Sequence, residues 1–442
     1  MMKNKSNTIF SKILVFLSSR IIFCVLAFLC FAFVSCASSS FIVPESAYVP
    51  NDFFGITPER MPLNTETFEL LDELNAVWIR DTIRWTSVEH GEGNWNFSEW
   101  DDLINTVEAA GKKLVLVLGF DNGWLYENGK EHRNMGEREL SFFLKYVEQV
   151  VCRYQTRVVY EIWNEPNFVY WDGSDKKFFA LVKATAEKIR ELVPDATILA
   201  GATFRVPSGY IRKLFKSGAM EHTDGISIHP YGLTPAGTMN LIDKLLKIFD
   251  DFNYKKPIWI TEVGYSTGSV FIGNRKRHAE LVVKNLSGIA ARSSYVRNMI
   301  WYELIDEVNP GDKQNYLDFL NYCGLMYPNG TYKSGTEAFM LTANYLAGKK
   351  YIPIYPVREN ISHSITSLYF RSNDGSSVLI LWKNGLGKRK MTLTIPGAEN
   401  VTRHNINNRE ETLLPENITL EINREPVFIT WTDGSPPRLT KK

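Results

Sequence analysis

Between residues 52 and 304 eight short runs rich in β-branched and aromatic residues alternate with longer stretches of helical period. The runs are DFFGIT (52–57), AVWIRDTI (76–83), KLVLVLGF (113–120), VVYEIWN (158–164), TILAGAT (197–203), GISIHPY (225–231), PIWITEVG (257–264) and NMIWYEL (298–304). Between them lie segments such as TFELLDELN, WDDLINTVEAAG, ELSFFLKYVEQVVCRY, KKFFALVKATAEKIRELV and LIDKLLKIFDDF. Their apolar residues fall at i, i+3, i+4 and i+7, the spacing that places them on one face of a helix. Strands separated by helices pair in parallel through crossovers, and eight such units close a (β/α)8 TIM barrel. The runs are apolar almost throughout, as expected of strands covered on both faces.

A further helical segment, SGTEAFMLTANYLAG (334–348), closes the eighth unit. Beyond residue 352 the period changes. SLYFRS, SVLILWK, KMTLTIP, NITLEI and VFITW are separated by turn-rich pieces such as NDGSS and NGLGK, with no helical pattern between them. This predicts a C-terminal antiparallel β-sandwich-like domain over 352–442, packed on a barrel that spans 52–351.

The N-terminus reads as an export signal. Lys3, Lys5, Lys12 and Arg20 precede the apolar stretch 21–34, which is short for a membrane span and right for a signal core. It ends in FVSCASSS, which resembles a bacterial lipoprotein signal. Residues 1–35 are then a signal peptide, Cys36 carries the lipid, and 36–51 is a tether; an ordinary cleaved signal, or a signal anchor with a chance cysteine, is the alternative. The expected location is the cell envelope, held to the membrane through the lipid. Cys24 and Cys30 leave with the signal, so Cys152 and Cys323 remain, expected as separate buried thiols. Net charge is +1, which gives no electrostatic footprint for nucleic acid. No zinc-type Cys/His spacing, P-loop or G-x-G-x-x-G after a strand is present, and no metal or organic cofactor is expected. Eleven Trp and twenty Tyr suit a core, and also a cleft in which flat rings stack on sugars.

In a barrel of this kind the active site lies at the C-terminal ends of the strands. Glu165 follows the fourth run and Glu262 stands near the end of the seventh, so both can face the mouth. Two carboxyl groups flanking a glycosidic bond are what its hydrolysis requires. Arg80 on the second run can keep a carboxylate ionised. Asn164 can bond a sugar hydroxyl, His229 and Tyr231 close the sixth run, and Trp301 on the eighth can form a stacking floor. Glu303 and Asp306 follow Trp301, while Trp124, Tyr170 and Trp171 stand in the loops after runs three and four, as sugar platforms or as anchors.

WNEPN, IHPY and TEVGYS together resemble clan A glycoside hydrolases, most like family 39, with family 5 second. WIRDTIRWTSVEHGEGNWNFSEWDDLINTVEAAGKKLVLVL is similar to that group's second and third βα units. The resemblance covers roughly 52–350. It implies a retaining enzyme acting on β-linked sugars, with Glu165 as acid/base and Glu262 as nucleophile. It further implies that Asn164 holds the 2-hydroxyl, that Tyr231 bonds the nucleophile, and that His229 and Arg80 shape the sugar site. A sugar-binding lipoprotein on a dead barrel and a transglycosylase are the alternatives. Long loops after runs three and four hint at a cleft suited to endo action.

Overall fold

Parallel strands buried by the helices around them form the centre of the barrel in the computed structural model, which describes residues 44–59, 61–268, 275–308, 320–354, 364–406, 410–414 and 417–441. The expected signal peptide (1–35) and the expected lipidation site Cys36 lie outside the described residues. Eight strands close a barrel: β2 (Phe54–Ile56), β3 (Trp78–Arg84), β4 (Lys113–Gly119), β5 (Val159–Ile162), β6 (Thr197–Phe204), β7 (Gly225–His229), β8 (Ile258–Val263) and β9 (Val296–Trp301). The ring is parallel throughout and β9 closes it by pairing with β2, Gly55 opposite Ile300. Around it run α1 (Thr65–Glu73), the single turn α2 (Trp85–Val88), α3 (Ser98–Ala109), α4 (Glu137–Tyr154), α5 (Asp175–Leu192), α6 (Ser208–Lys216), α7 (Pro235–Phe252), α8 (Arg275–Ala290) and α9 (Ser334–Leu346).

Local chemistry sets where these helices start. Asn64 accepts the Thr67 amide at 3.0 Å and begins α1. Before α4, Glu139 reaches back to the Gly136 amide at 2.9 Å. Thr234 caps α7, with Pro235 in the first helical position, where a missing N–H costs nothing. Packing then holds the helices in place. On α4, Phe143, Tyr146, Val147, Val150, Val151 and Tyr154 are buried in one stripe, each contributing roughly 1.5–3 kcal/mol of hydrophobic stabilisation.

The barrel interior is layered by the two-residue period of its strands. Trp78, Val115, Val159, Leu199, Trp259 and Ile300 fill the lower layer, with Trp78 and Trp259 edge to face at 5.2 Å. Two residues further along, on the same interior face, β3, β5 and β8 carry Arg80, Glu161 and Thr261. A polar layer therefore sits on an apolar one, just below the mouth.

The C-terminal part is a sandwich of two antiparallel sheets. Among the described residues one has seven strands in the order β1 (Ala47–Tyr48), β10 (Lys350–Ile352), β11 (Ile365–Arg371), β12 (Ser377–Lys383), β17 (Val427–Asp433), β14 (Ala398–Asn405) and β15 (Glu410–Thr412). The other has three, in the order β16 (Ile418–Ile422), β13 (Arg389–Thr394) and β18 (Arg438–Lys441). Alternation assigns the faces of the larger sheet. Leu368, Phe370, Val378, Ile380, Trp382 and Phe428 join the barrel's core, while Tyr369, Leu379, Leu381, Ile429 and Trp431 join the core between the sheets.

Two boundaries differ from the sequence expectation. The tether expected over 36–51 ends earlier, because Ala47 and Tyr48 form an edge strand against Tyr351 and Lys350, and Ser46 Oγ donates to Tyr351 O at 2.8 Å. The sheet begins at Lys350 rather than beyond residue 352, since β10 pairs with β11. Cys323 is buried as expected, but Cys152 is exposed, because it lies on the outer face of α4.

Candidate active site

The chain leaves the barrel at the end of β5 through an unusual backbone. Trp163 has φ +70° and Glu165 φ +40°, left-handed values that bulky residues adopt at a cost. Trp163 is fully buried, packed on Phe120, Phe143, Trp171 and Phe178, and its indole donates to Tyr170 O at 2.8 Å. Pro166 disfavours the right-handed helical region for Glu165. The Glu165 amide donates to Ala202 O at 2.9 Å. Ala202 belongs to a bulge in β6, where the register against β7 shifts and Gly201 has φ +115°. The bulge also draws the Ala202 amide onto Ser227 Oγ at 2.9 Å. This is why the strand expected through Asn164 ends at Ile162.

Arg80 organises the polar layer. Its Nε donates to Glu161 Oε2 at 2.6 Å, Nη1 to Glu262 Oε1 at 2.6 Å, and Nη2 to Asn164 Oδ1 at 2.8 Å. Tyr231 donates from its hydroxyl to Glu262 Oε2 at 2.8 Å. His229 Nδ1 lies 2.9 Å from Glu165 Oε1, and its Nε2 lies 3.2 Å from Thr261 Oγ1. One oxygen of Glu165, one of Glu262 and a ring nitrogen of His229 all lie within 4.8 Å of one another.

These surroundings bias the two carboxyl groups in opposite directions. Burial raises the pKa of Glu165; Glu262 adds to the rise, and contact with His229 only partly offsets it. Burial also acts upward on Glu262, but the charges of His229 and Arg80 and the Tyr231 hydroxyl outweigh it and hold the group below its ordinary value. Burial would depress His229, yet the carboxylates of Glu262 and Glu165 prevail and raise it.

Above this layer opens a cleft of about 740 Å³. Arg80, Asn164, Glu165, Tyr231 and Glu262 all line it. So do the rings of Phe120, Phe168, Tyr170, Phe204 and Tyr302, flat surfaces suited to the faces of sugars.

Other expected residues lie elsewhere. His229 is fully buried beneath the carboxylates and does not line the cleft; it contacts Glu165 instead. Trp301 is fully buried and does not form a stacking floor; it packs on Tyr265, His278 and Phe339 and donates to Cys323 O at 3.2 Å. Strand parity is the cause: Ile300 faces the barrel interior, so Trp301 faces the helices, and Tyr302 takes the cleft position. Glu303 is buried away from the cleft, and Asp306 is committed to a buried ion pair with Lys333 at 2.7 Å. Of the loop aromatics Tyr170 reaches the cleft. Trp124 packs on Trp85 and Phe142, and Trp171 on Trp163 and Phe178. The long loop after β4 folds back on Asp121, which accepts from Tyr126 Oη and the His132 and Arg133 amides, and only Phe120 of that stretch lines the cleft. Beyond Phe120 that loop does not form the cleft wall expected of it.

Glu161 and Thr261 are site residues that the sequence reading passed over. A signal was present: Glu161 is a charge in the middle of a strand buried on both faces, and such a group requires a partner.

The grouping of Glu165, His229 and Glu262 invites a test as a metal centre. The donor atoms are close enough, but Glu262 Oε1 and Oε2 already accept from Arg80 and Tyr231, and Arg80 places a permanent cation beside them. The donor set suits a proton and a guanidinium better than a divalent ion.

Residues 55–305, more than half of the chain, match the family described as cellulase (glycosyl hydrolase family 5). No curated protein sequence matches. Among solved structures, a family 39 glycoside hydrolase from the gut symbiont Bacteroides cellulosilyticus WH2 has a TM-score of 0.72 at 19% identity, over 88% of this chain and 83% of that one. A monomeric β-xylosidase from Caulobacter crescentus CB15 has a TM-score of 0.60 at 14% identity, over 88% and 98%. A family 30 subfamily 8 xylanase from Clostridium acetobutylicum has 0.59 at 11%, over 88% and 97%. These likenesses are of fold, and they extend past the barrel into the β-domain. The motifs resemble family 39 first and family 5 second; the sequence match lies with family 5, and both families belong to clan A. The chain belongs to the family described as cellulase (glycosyl hydrolase family 5), within clan A, and is a glycoside hydrolase acting on carbohydrate.

Proposed function

We propose that the enzyme cleaves β-linked glycosidic bonds of an oligo- or polysaccharide with retention of configuration, by double displacement. The observation that carries this reading is the facing pair Glu165 and Glu262, with one oxygen of each within 4.8 Å of the other and opposite titration bias. Such closeness suits the short spacing of retaining pairs, about 5–5.5 Å between carboxyl groups, better than the about 6.5–9.5 Å that inverting pairs leave for a water. Glu262, kept ionised by Arg80 and Tyr231, attacks the anomeric carbon. Glu165 gives its proton to the departing oxygen, and the bond to the leaving group breaks. Water then enters, Glu165 takes its proton, and the bond to Glu262 breaks. Asn164 presents its amide N–H groups to the 2-hydroxyl, because Arg80 already occupies its oxygen.

The solved neighbours named as a β-xylosidase and a xylanase make β-xylosides the first substrates to try, with β-glucosides beside them. Proton NMR of the nascent sugar from phenyl β-glycosides and from xylan and β-glucans tests the reading. A β-anomer appearing first supports it, and an α-anomer overturns it. Turnover lost on the whole panel with sugar binding intact points to a binding protein instead.

Export and lipid anchoring at Cys36 belong to the same proposal, carried by the basic, apolar and FVSCASSS segments. A Cys36→Ser variant is expected to leave the membrane fraction; retention there overturns the anchor.

A further inference from the structure

Beneath the two carboxylates runs an unbroken chain of hydrogen bonds. It passes from Glu262 Oε1 to Arg80 Nη1 (2.6 Å) and from Arg80 Nε to Glu161 Oε2 (2.6 Å). It continues from Glu161 Oε1 to Thr261 Oγ1 (2.7 Å), from Thr261 Oγ1 to His229 Nε2 (3.2 Å), and from His229 Nδ1 to Glu165 Oε1 (2.9 Å). Counting donors along it fixes the hydrogen at one end of the imidazole. Glu161 is fully buried against the permanent charge of Arg80, and as a carboxylate it only accepts. The single hydroxyl hydrogen of Thr261 goes to Glu161, so toward His229 the threonine oxygen only accepts. Nε2 of His229 therefore carries hydrogen. A neutral imidazole has one N–H, which makes Nδ1, the atom facing Glu165, its basic nitrogen.

We propose that Thr261 is a positioning residue for the acid/base: anchored on Glu161, it pins the Nε2–H tautomer of His229, so that Glu165 Oε1 and His229 Nδ1 share one proton whose departure would leave a carboxylate facing a lone pair. The inference rests on Glu165 being the acid/base. The pair gives one proton to the departing oxygen in the first step and regains one from water in the second, so its proton count is restored each turnover. Several charged or titratable groups face His229. Glu165 follows β5, Glu262 comes from β8 with Oε2 3.5 Å from Nδ1, and Arg80 comes from β3. Glu161 stands behind Thr261, and the Tyr231 ring lies 6.5 Å away. None of them offers Nε2 a second acceptor in place of Thr261. The upward bias of Glu165 accords with this arrangement.

Removing the hydroxyl frees the tautomer. In Thr261→Val a neutral His229 moves its hydrogen to Nδ1 and donates to the Glu165 carboxylate, which stabilises the deprotonated pair. The alkaline limb of kcat/KM on a phenyl β-glycoside is then expected to move to lower pH by on the order of one unit, while Thr261→Ser keeps the wild-type profile. A uniform loss of activity with an unmoved limb overturns the proposal. Should Thr261→Val fail to fold, the wild type decides by itself. Nitrogen-15 NMR, with the His229 signals assigned by their loss in His229→Gln, is expected to show neutral His229 protonated at Nε2, and protonation at Nδ1 overturns the proposal. Wild-type activity of Glu165→Gln on an unactivated substrate would instead sink the acid/base reading, and the tautomer measurement is independent of that result.

Discussion

Arg80 binds three side chains at once, and its role divides between stability and chemistry. Replacing it with Met leaves Glu161 buried without its counter-ion and removes a cation from Glu262. The expected loss of stability is about 3–5 kcal/mol, measurable by urea unfolding. The surviving activity is expected to show its acid limb at higher pH, since Glu262, as the proposed nucleophile, acts ionised and has lost a group that favoured ionisation. In the wild type Glu262 is held below the ordinary carboxyl value and Glu165 is raised above it, so under the proposed roles Glu262 is expected to set the acid limb and Glu165, with His229 beside it, the alkaline limb. An acid limb that stays in place in Glu262→Asp and an alkaline limb that stays in place in His229→Gln would contradict the two assignments. Glu262→Ala is expected to lower kcat by about 10⁴-fold or more. Azide added to that variant enters the vacated space and yields the inverted glycosyl azide; a retained product would mean that the acid/base had been removed instead.

Elements set the aim of these side chains. The β6 bulge supports Glu165 through the bond from its amide to Ala202 O, so a change in the bulge reaches the chemistry without touching it. At Gly201 a Cβ would stand 2.7 Å from Ser227 O, in backbone that only glycine adopts freely. Gly201→Ala is expected to cost about 1–3 kcal/mol of stability and to lower kcat more than it raises KM, because it displaces Glu165, the proposed acid/base, rather than the wall of the cleft. Steady-state kinetics beside a thermal melt separate the two effects. Strand parity explains the error at Trp301. The eighth run was legible in the sequence, but a run apolar on both faces does not reveal which of its residues look inward. Where a charge interrupts the run, as with Arg80 and Glu161, parity becomes readable.

At the scale of the whole molecule the sandwich is part of the barrel's coat. Leu368, Phe370, Val378, Ile380 and Trp382 continue the barrel core, Tyr345 of α9 bonds His404 at 3.0 Å, and Arg424 pairs with Glu280 of α8 at 2.9 Å. β1, just ahead of the first barrel strand, is held by β10. The full chain is therefore expected to unfold in one calorimetric transition, and a chain cut after Lys349 to lose soluble expression. Two separated transitions, or a soluble active fragment, would show the domains to be independent.

By itself the sequence determined the repeat of strand and helix, the change of period near residue 352, and the two carboxylates at strand ends, since these follow from spacing along the chain and from motif. The tertiary structure decided what depends on distance between strands. It brought Glu161 and Thr261 beneath the site, moved His229 from the cleft wall onto Glu165, exchanged Trp301 for Tyr302, and gave Ala47 and Tyr48 to a sheet whose partner strand lies some three hundred residues away. The physical reason is one of range. Hydrophobic period acts within an element, whereas donor, acceptor and charge pairings form between strands that only barrel closure makes neighbours.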